Sequence, residues 1–480
     1  MLYNTLEFSI LYIAVFLLYW FATNKNLRAQ NMLILVASYI FYGWWDWRFL
    51  SLVLGSSLTD YFVANQISEA ESPAKKKAWL YLSLAVNLGL LGVFKYYGFF
   101  VDSFIDMFQM FGYELNERST SIVLPVGISF YTFQTLSYTI DVYRGRFKAT
   151  KEIVPFLAFV SFFPQLIAGP IERASNLLPQ FFKQRKFDLQ KAKDGLRQIL
   201  WGLFKKVVIA DTLGMAVDNI IGYHTEMTGS VLAMGILFFA IQLYCDFSGY
   251  SDMAIGTARL LGFKLMRNFN YPFFARDMLD FWRRWHISLT TWFKDYVFLS
   301  LSKGKMVSDK WIIVRNYILT FTVSGLWHGA NWTFVIWGLL HGIFQVPYLI
   351  WPQLRSKIQQ TRPPFNFYGT LRAAFQMGLT LVLNLLALVF FFSESVSHAM
   401  SYFSQMFSSS LFSLPNIYRK ELYWLLLFMG VEWIMMYRKK VFPLQIAEWH
   451  PVLRWGVYYS LTLVILYFNY DRRAFVYFQF

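Results

Sequence analysis

Histidines 286, 328 and 341 are the residues of this 480-residue chain best suited to chemistry. Two of them fall in Ser324–Gly342, an apolar and aromatic stretch with no Lys, Arg, Asp or Glu. Imidazole titrates near neutral pH and so moves protons readily. Among apolar helices it is costly unless it is paired or lines a wet cavity. The alternative is a pair of satisfied core histidines that fix helix contacts. His341 follows His328 by thirteen residues, so on one continuous helix the two would point about 140° apart. Gly329 and Asn331 are the places where that helix could break.

A metal site is not expected. The spacing is not i,i+4, no H-E-x-x-H occurs, and the chain has one cysteine. Asp246 and Asp252, carboxylates in an apolar run, are expected to tie helices together by pairing with Arg259 or backbone rather than to ligate a metal. Cys245 could carry an acyl group as a thioester, but packing is the favoured reading. Histidines 224, 398 and 450 lie near loops or helix ends and are treated as incidental.

The elements that position these residues are membrane helices. The chain is 56% hydrophobic and 21% aromatic, with mean hydropathy +0.39, where a soluble domain has about 45–50% apolar residues. Charge-free runs such as Phe8–Thr23, Ala78–Phe94 and Ala373–Ser393 suit a bilayer core, which takes about 20 residues. The runs are continuous, unlike the alternating strands of a barrel. The net charge of +16 sits in short loops, as positive-inside topology requires, rather than on a nucleic-acid surface. Basic loops at Asn24–Asn31, Ser68–Lys77 and Tyr143–Glu152, with an acidic Val101–Thr120 between, predict an N-terminus outside the cytoplasm. The first apolar run lacks a basic n-region and a cleavage site, so it is expected to stay as the first helix.

Glu172–Arg197 is basic as well, which makes Ile153–Ile171, with three prolines and a glycine, a re-entrant segment. Such irregular backbone needs a protein or cavity surround. Helices are expected at Asp194–Ile221, Val231–Gly249, Ile312–Gly325, Trp332–Trp351, Arg372–Ser393, Glu421–Tyr437 and Val452–Tyr470. Asn268–Ser300 is aromatic but laced with charge, and reads as an interfacial or re-entrant helix pair. The whole is an all-α polytopic membrane protein of roughly eleven crossings, one domain over residues 1–480, without a soluble domain or clear repeat.

Five stretches resemble the membrane-bound O-acyltransferase superfamily: PVGISFYTFQTLSYTIDVYRG (Pro125–Gly145), FFPQLIAGPIERA (Phe162–Ala174), YCDFSGYSDMAIG (Tyr244–Gly256), NFNYPFFARDMLDFWRRWHISLTTWFKDYVF (Asn268–Phe298) and WHGANWTFVIWGLLHG (Trp327–Gly342). Within it they look most like the bacterial branch of alginate O-acetylation and teichoic-acid D-alanylation, as does the ending FVYFQF. The resemblance spans about Tyr42 to Phe480, with the motif core at about 120–350. It implies helices around a tunnel through the membrane, with an acyl donor on the cytoplasmic side and an acceptor hydroxyl on the other. It also implies acetyl-CoA as donor, no permanently bound cofactor, an exported polysaccharide as acceptor and an extracytoplasmic partner of the SGNH-hydrolase type.

His328 matches the family's catalytic histidine, a general base for acyl transfer. His286 matches an upstream position that is His, Asn or Asp in much of the superfamily. It is expected either to orient His328 or hold the acyl carbonyl, or else to pair with Asp280 or a backbone carbonyl. His341 has a direct part or packs. Trp327 and Asn331 flank the catalytic position. Gln134 and Tyr138, with Ser129 and Tyr131, line the tunnel or bond between helices. Arg276, Arg283, Arg284 and Lys294 suit either the phosphates of coenzyme A or anionic lipid. D-alanyl transfer and peptidoglycan O-acetylation are neighbouring alternatives. A polytopic glycan or lipid transporter is the rival from another class.

Overall fold

The computed structural model describes residues 1–113, 122–167, 169–302, 309–354, 367–415, 417–440, 442–468 and 473–476, with side chains from residue 370 onward in the helix Phe367–Phe392. Glu114, Glu117 and Arg118 of the acidic loop, residues 355–362 of the basic loop Leu354–Arg362, and the last four residues of the FVYFQF ending lie outside the described residues. Every regular element among the described residues is helical. The chain forms two compact units, Met1–Ile199 with Met253–Met266, and Leu200–Asp252 with Arg267–Phe480.

The first unit contains α1 (Leu6–Leu17), α2 (Leu27–Gly43), α3 (Leu50–Glu69), α4 (Pro73–Leu91), α5 (Tyr97–Met110), α6 (Ile128–Tyr143), α7 (Ile153–Val160), α8 (Ala174–Leu177) and most of α9 (Leu189–Leu203). Side-chain caps start the first two: Thr5 accepts from Phe8 N and Asn26 from Ala29 N. Lipid is as apolar as the helix surfaces, so no hydrophobic force joins the helices and polar side chains add to their packing. Buried Asp60 of α3 accepts from Ser83 and Asn87 of α4, and from Thr139 of α6. After α7 the chain runs irregularly through Pro164, Gly169 and Pro170, and Phe162, Phe163 and Leu166 are buried. The breaks expected at Pro164, Gly169 and Pro170 are there, in a protein-lined interior, whereas Pro155 sits in the first turn of α7, where a proline needs no N–H partner, and breaks nothing.

The second unit contains α10 (Asp211–Gly222), most of α11 (Gly229–Leu260), α12 (Met278–Arg284), α13 (Ile287–Phe293), α14 (Leu299–Leu301), α15 (Lys310–His328), α16 (Trp332–Ile350), α17 (Phe367–Phe392), α18 (Val396–Met406), α19 (Arg419–Tyr437) and α20 (Pro451–Phe468). A π-helical turn, Phe204–Ala210, precedes α10 and turns Lys205 and Lys206 inward. Such turns recur at functional places in helices. The predicted stop of α11 at Gly249 is corrected to Leu260. Gly249 sits where an added Cβ would meet the Gly202 carbonyl oxygen at 2.8 Å, so this glycine is a close-approach point and not a terminator.

Five described helical runs are long and apolar enough to cross a membrane: Pro73–Met110, Gly229–Leu260, Trp332–Ile350, Thr370–Phe392 and Pro451–Phe468. Leu6–Ala22 is a shorter apolar one. Other predicted crossings fall on shorter or more polar helices, such as the 16-residue α6 with its buried Gln134, and α19 with buried Glu432.

Candidate active site

The histidine-bearing stretch is a hairpin, not one helix. His328 is the last residue of α15, Gly329 is extended, and Asn331 opens α16. Asn331 Oδ1 accepts from Thr333 N at 3.0 Å, and its amide nitrogen donates to Glu394 O at 2.8 Å. Both ends of this side chain are therefore spent on structure. A Cβ on Gly329 would collide with the Phe334 ring, and one on Gly325 or Gly338 would strike the opposite helix backbone. The missing side chains let the two helices touch. Reversal at the break removes the 140° constraint: the Trp337 ring centroid lies 5.0 Å from that of His328 and 4.7 Å from that of His341.

His286 sits at the corner between α12 and α13 with φ 41° and ψ 54°. A non-glycine residue held there costs about 1–3 kcal/mol and marks a place the surroundings enforce. Asn268 does the enforcing. Its carbonyl accepts from Ile287 N at 2.8 Å, its Oδ1 from the Ser288 hydroxyl at 2.9 Å, and its amide donates to Ser251 of α11 at 3.2 Å. His286 is fully buried, and neither ring nitrogen has a hydrogen-bond partner among the described residues. The expected pairing with Asp280 or a carbonyl is therefore corrected. Asp280 instead pairs with Arg284 at 3.0 Å, the ordinary i,i+4 helix contact. Aromatic rings enclose the imidazole: Phe247 at 4.6 Å, Trp327 at 6.2 Å and Phe269 at 6.4 Å. The corner lies outside the spanning helices, and burial pushes the imidazole down to about 3, so it is neutral at physiological pH.

Trp327 links this corner to the hairpin, since its ring lies 5.0 Å from that of His328. A ladder of rings thus runs His286, Trp327, His328, Trp337, His341. His341 Nδ1 and the indole nitrogens of Trp282 and Trp337 are buried with no hydrogen-bond partner among the described residues. Native interiors rarely leave such groups unmade.

One cavity is lined by Trp337 and His341 of the ladder, and a second is separated from the ladder by Trp282, whose ring lies 5.0 Å from that of His341. The inner one, about 20 Å³, is lined by His341, Trp282, Trp337, Asn384 and Phe391, room for about one water. The outer one, about 380 Å³, is lined by Trp282, Arg283, Lys294, Thr320, Ser324 and Gln345 among others. Trp282 walls both. Gln345 donates to the His341 carbonyl at 3.0 Å, and Ser324 lies one turn before His328. Arg283 and Lys294 are exposed, without an ion-pair partner among the described residues. An imidazole can accept a proton, and buried N–H donors without a partner can stabilise an oxyanion.

Gln134 and Tyr138 belong to the first unit. Gln134 donates to Phe159 O at 2.7 Å and accepts from Gln165, and the Tyr138 hydroxyl accepts from Thr150 N at 2.9 Å. Cys245 is fully buried. Asp246 and Asp252 do tie helices together: Asp246 pairs with Lys206 and accepts from the Val476 backbone N–H, and Asp252 pairs with Lys205. The sequence reading missed those lysines, although a Lys-Lys pair inside the apolar run ILWGLFKKVVIA is itself a signal. It also missed Asn384, the one polar amide within Leu379–Val389, and Trp282 and Trp337, which look like any other aromatic residues here.

The family model for membrane-bound O-acyltransferases matches residues 150–392. The probable alginate O-acetylase AlgI of Pseudomonas putida is 38% identical over 425 residues, 88% of this chain and 83% of that protein. The peptidoglycan O-acetyltransferase of Helicobacter pylori is 36% identical over 392 residues, 76% and 73% of the two chains. The teichoic acid D-alanyltransferase of Bacillus subtilis is 29% identical over 264 residues, 53% and 65%.

Proposed function

Because the chain belongs to the membrane-bound O-acyltransferase family, and is thereby a multi-pass membrane O-acyltransferase, we propose that it carries an acetyl group from cytoplasmic acetyl-CoA to hydroxyls of an exported, alginate-like polysaccharide. It does so as one domain of roughly eleven crossings around a tunnel, in a bacterial inner membrane with the N-terminus outside. An extracytoplasmic SGNH-hydrolase-like partner completes the delivery. Acetyl and alginate rest on the P. putida relative. Peptidoglycan is the second acceptor reading, favoured by the H. pylori relative.

The observation that carries the proposal is Trp282, which walls the outer cavity and packs against Trp337 and His341 of the ring ladder. The thioester lies in that cavity, with donor phosphates against Arg283 and Lys294, whose charges suit phosphate oxygens. His328 takes the proton of the attacking hydroxyl as its oxygen bonds the acetyl carbon, worth about 10²–10⁴-fold. The indole N–H groups of Trp282 and Trp337 stabilise the oxyanion, each well-placed donor being worth about 2.7–4 kcal/mol. The carbon–sulfur bond then breaks and the imidazolium returns its proton to the leaving thiolate. If a partner's serine receives the acetyl group first, His328 handles that hydroxyl's proton in the same way. His286 and His341 hold the acyl carbonyl or orient the base. Arg284, tied to Asp280, supports the corner.

The test is acetyl release from radiolabelled acetyl-CoA by purified protein in detergent, wild type beside His328→Ala, with gel filtration as the check on folding. Turnover lost by the folded variant supports the assignment. Equal activity of the two proteins rejects His328 as the base. Turnover of palmitoyl-CoA but not acetyl-CoA rejects the donor. Analysis of the acetylated glycan separates alginate-like polysaccharide from peptidoglycan.

A further inference from the structure

We propose that the first unit carries a binding site for the phosphate of an anionic membrane lipid, in a cavity of about 430 Å³ where the end of the α1 run meets the segment 184–187. Three cations line it, Lys25, Arg185 and Lys186, and no carboxylate does. Arg185 is only 6% exposed. Its guanidinium donates to Asn31 Oδ1 at 2.7 Å, Gln30 Oε1 at 3.3 Å and Gln180 O at 3.3 Å, all neutral acceptors. Its Nε has no partner, and no carboxylate lies within ion-pair distance of it among the described residues. A buried cation without a counter-ion is expensive, and a phosphate oxygen is a natural acceptor for an arginine fork.

The rest of the cavity wall says which phosphate. Trp20, anchored by its indole N–H on Leu260 O at 3.0 Å, packs against Phe187 at 5.4 Å, and Phe16 joins at 6.3 Å. Leu6, Ile10, Ile13, Leu17 and Phe21 form one exposed apolar stripe at helical spacing, and the stripe ends on Phe21 at the cavity. A soluble phosphate has no use for that stripe. A diacyl lipid does: its chains lie along α1 while its headgroup meets the three cations, with the aromatics at the interface between them. The loops involved are the basic ones that charge asymmetry assigns to the cytoplasmic leaflet, where anionic lipids reside.

The experiment uses the full-length protein in neutral detergent, with retained phosphatidylglycerol and phosphatidylcholine counted by native mass spectrometry. Wild type is compared with the Lys25→Ala/Lys186→Ala double variant. Both lysines are exposed, so the fold survives, and gel filtration verifies it. Wild type is expected to prefer phosphatidylglycerol, and the double variant to lose about 30-fold of that affinity, the effect of two basic residues at a membrane surface. Wild type without a preference, or a double variant that keeps it, overturns the site. Displacement of phosphatidylglycerol by inorganic phosphate alone overturns the lipid in favour of a soluble anion. Phe21→Asn, which leaves the charges in place, is expected to weaken lipid retention, and unchanged retention overturns the role of the α1 stripe.

Discussion

Lys205 and Lys206 are as deeply buried in the second unit as His286 and His341, but the two groups are satisfied differently. Lys206 meets Asp211 and Asp246 at 2.8 Å each, and the second oxygen of Asp246 accepts from Val476 N at 2.7 Å. Lys205 meets Asp252 at 2.7 Å and the Ser248 hydroxyl at 2.8 Å, and the Tyr244 hydroxyl donates to Glu432 at 2.7 Å. Each charge in that network has partners. Around the histidines, two imidazoles and two indoles keep buried nitrogens without one among the described residues. Charges so well matched resist change and hold helices in register. Unmade hydrogen bonds beside a cavity are what a substrate can complete. The lysine network is the frame, and the ring ladder is the workplace.

Mutations should separate the two regions by what they destroy. His328→Ala is expected to lower turnover by about 10²–10⁴-fold, as loss of a base does, with the fold intact. A full-rate variant would move His328 into the frame. Lys206→Met strands two carboxylates and should cost about 3–5 kcal/mol of stability, seen as loss of the monodisperse peak or a large fall in Tm. A stable, inactive Lys206→Met would place that lysine in the chemistry instead. Gly338→Ala puts a methyl group against the Phe321 carbonyl. Overpacking of this kind costs about 1–3 kcal/mol, and it should depress turnover along with Tm because it displaces Trp337. Arg283→Gln should raise the KM for the donor by about tenfold while kcat holds, and the effect should shrink with added salt.

His286 gives the finest discrimination. Its folded pKa lies below the ordinary histidine value, so the unfolded chain binds the extra proton as pH falls below about 6.5. Stability is therefore expected to decline from about pH 6.5 downward, and His286→Asn should remove that part of the decline. His286→Gly relieves the left-handed backbone and should leave folding stability within about 1–2 kcal/mol of wild type while activity drops. A variant that loses Tm but not activity would return His286 to a packing role.

Much of this was legible in the sequence because the signals are local. Charge-free runs gave the membrane class, and α16 runs Trp332–Ile350, one residue short of the expected Trp332–Trp351. Gly329 and Asn331 announced the break that brings His328 and His341 to one ring. What was not legible depends on partners far along the chain. Lys206 and Asp246 are forty residues apart in sequence and meet only because a π-helical turn rotates the lysine inward. Gly249 looked like a stop signal, and only its contact with Gly202 explains why α11 continues. Gln134 and Tyr138 look the same in sequence whether they face a tunnel or bond to Phe159 and Thr150.

The backbone angle at residue 286 also limits what evolution can write there. Left-handed φ disfavours β-branched side chains most and, glycine aside, is most tolerant of Asn, Asp and His. Those three also carry a hydrogen-bonding group at short reach. The corner thus reads as a filter on the genetic alphabet: geometry admits a handful of residues, and function strikes glycine from them.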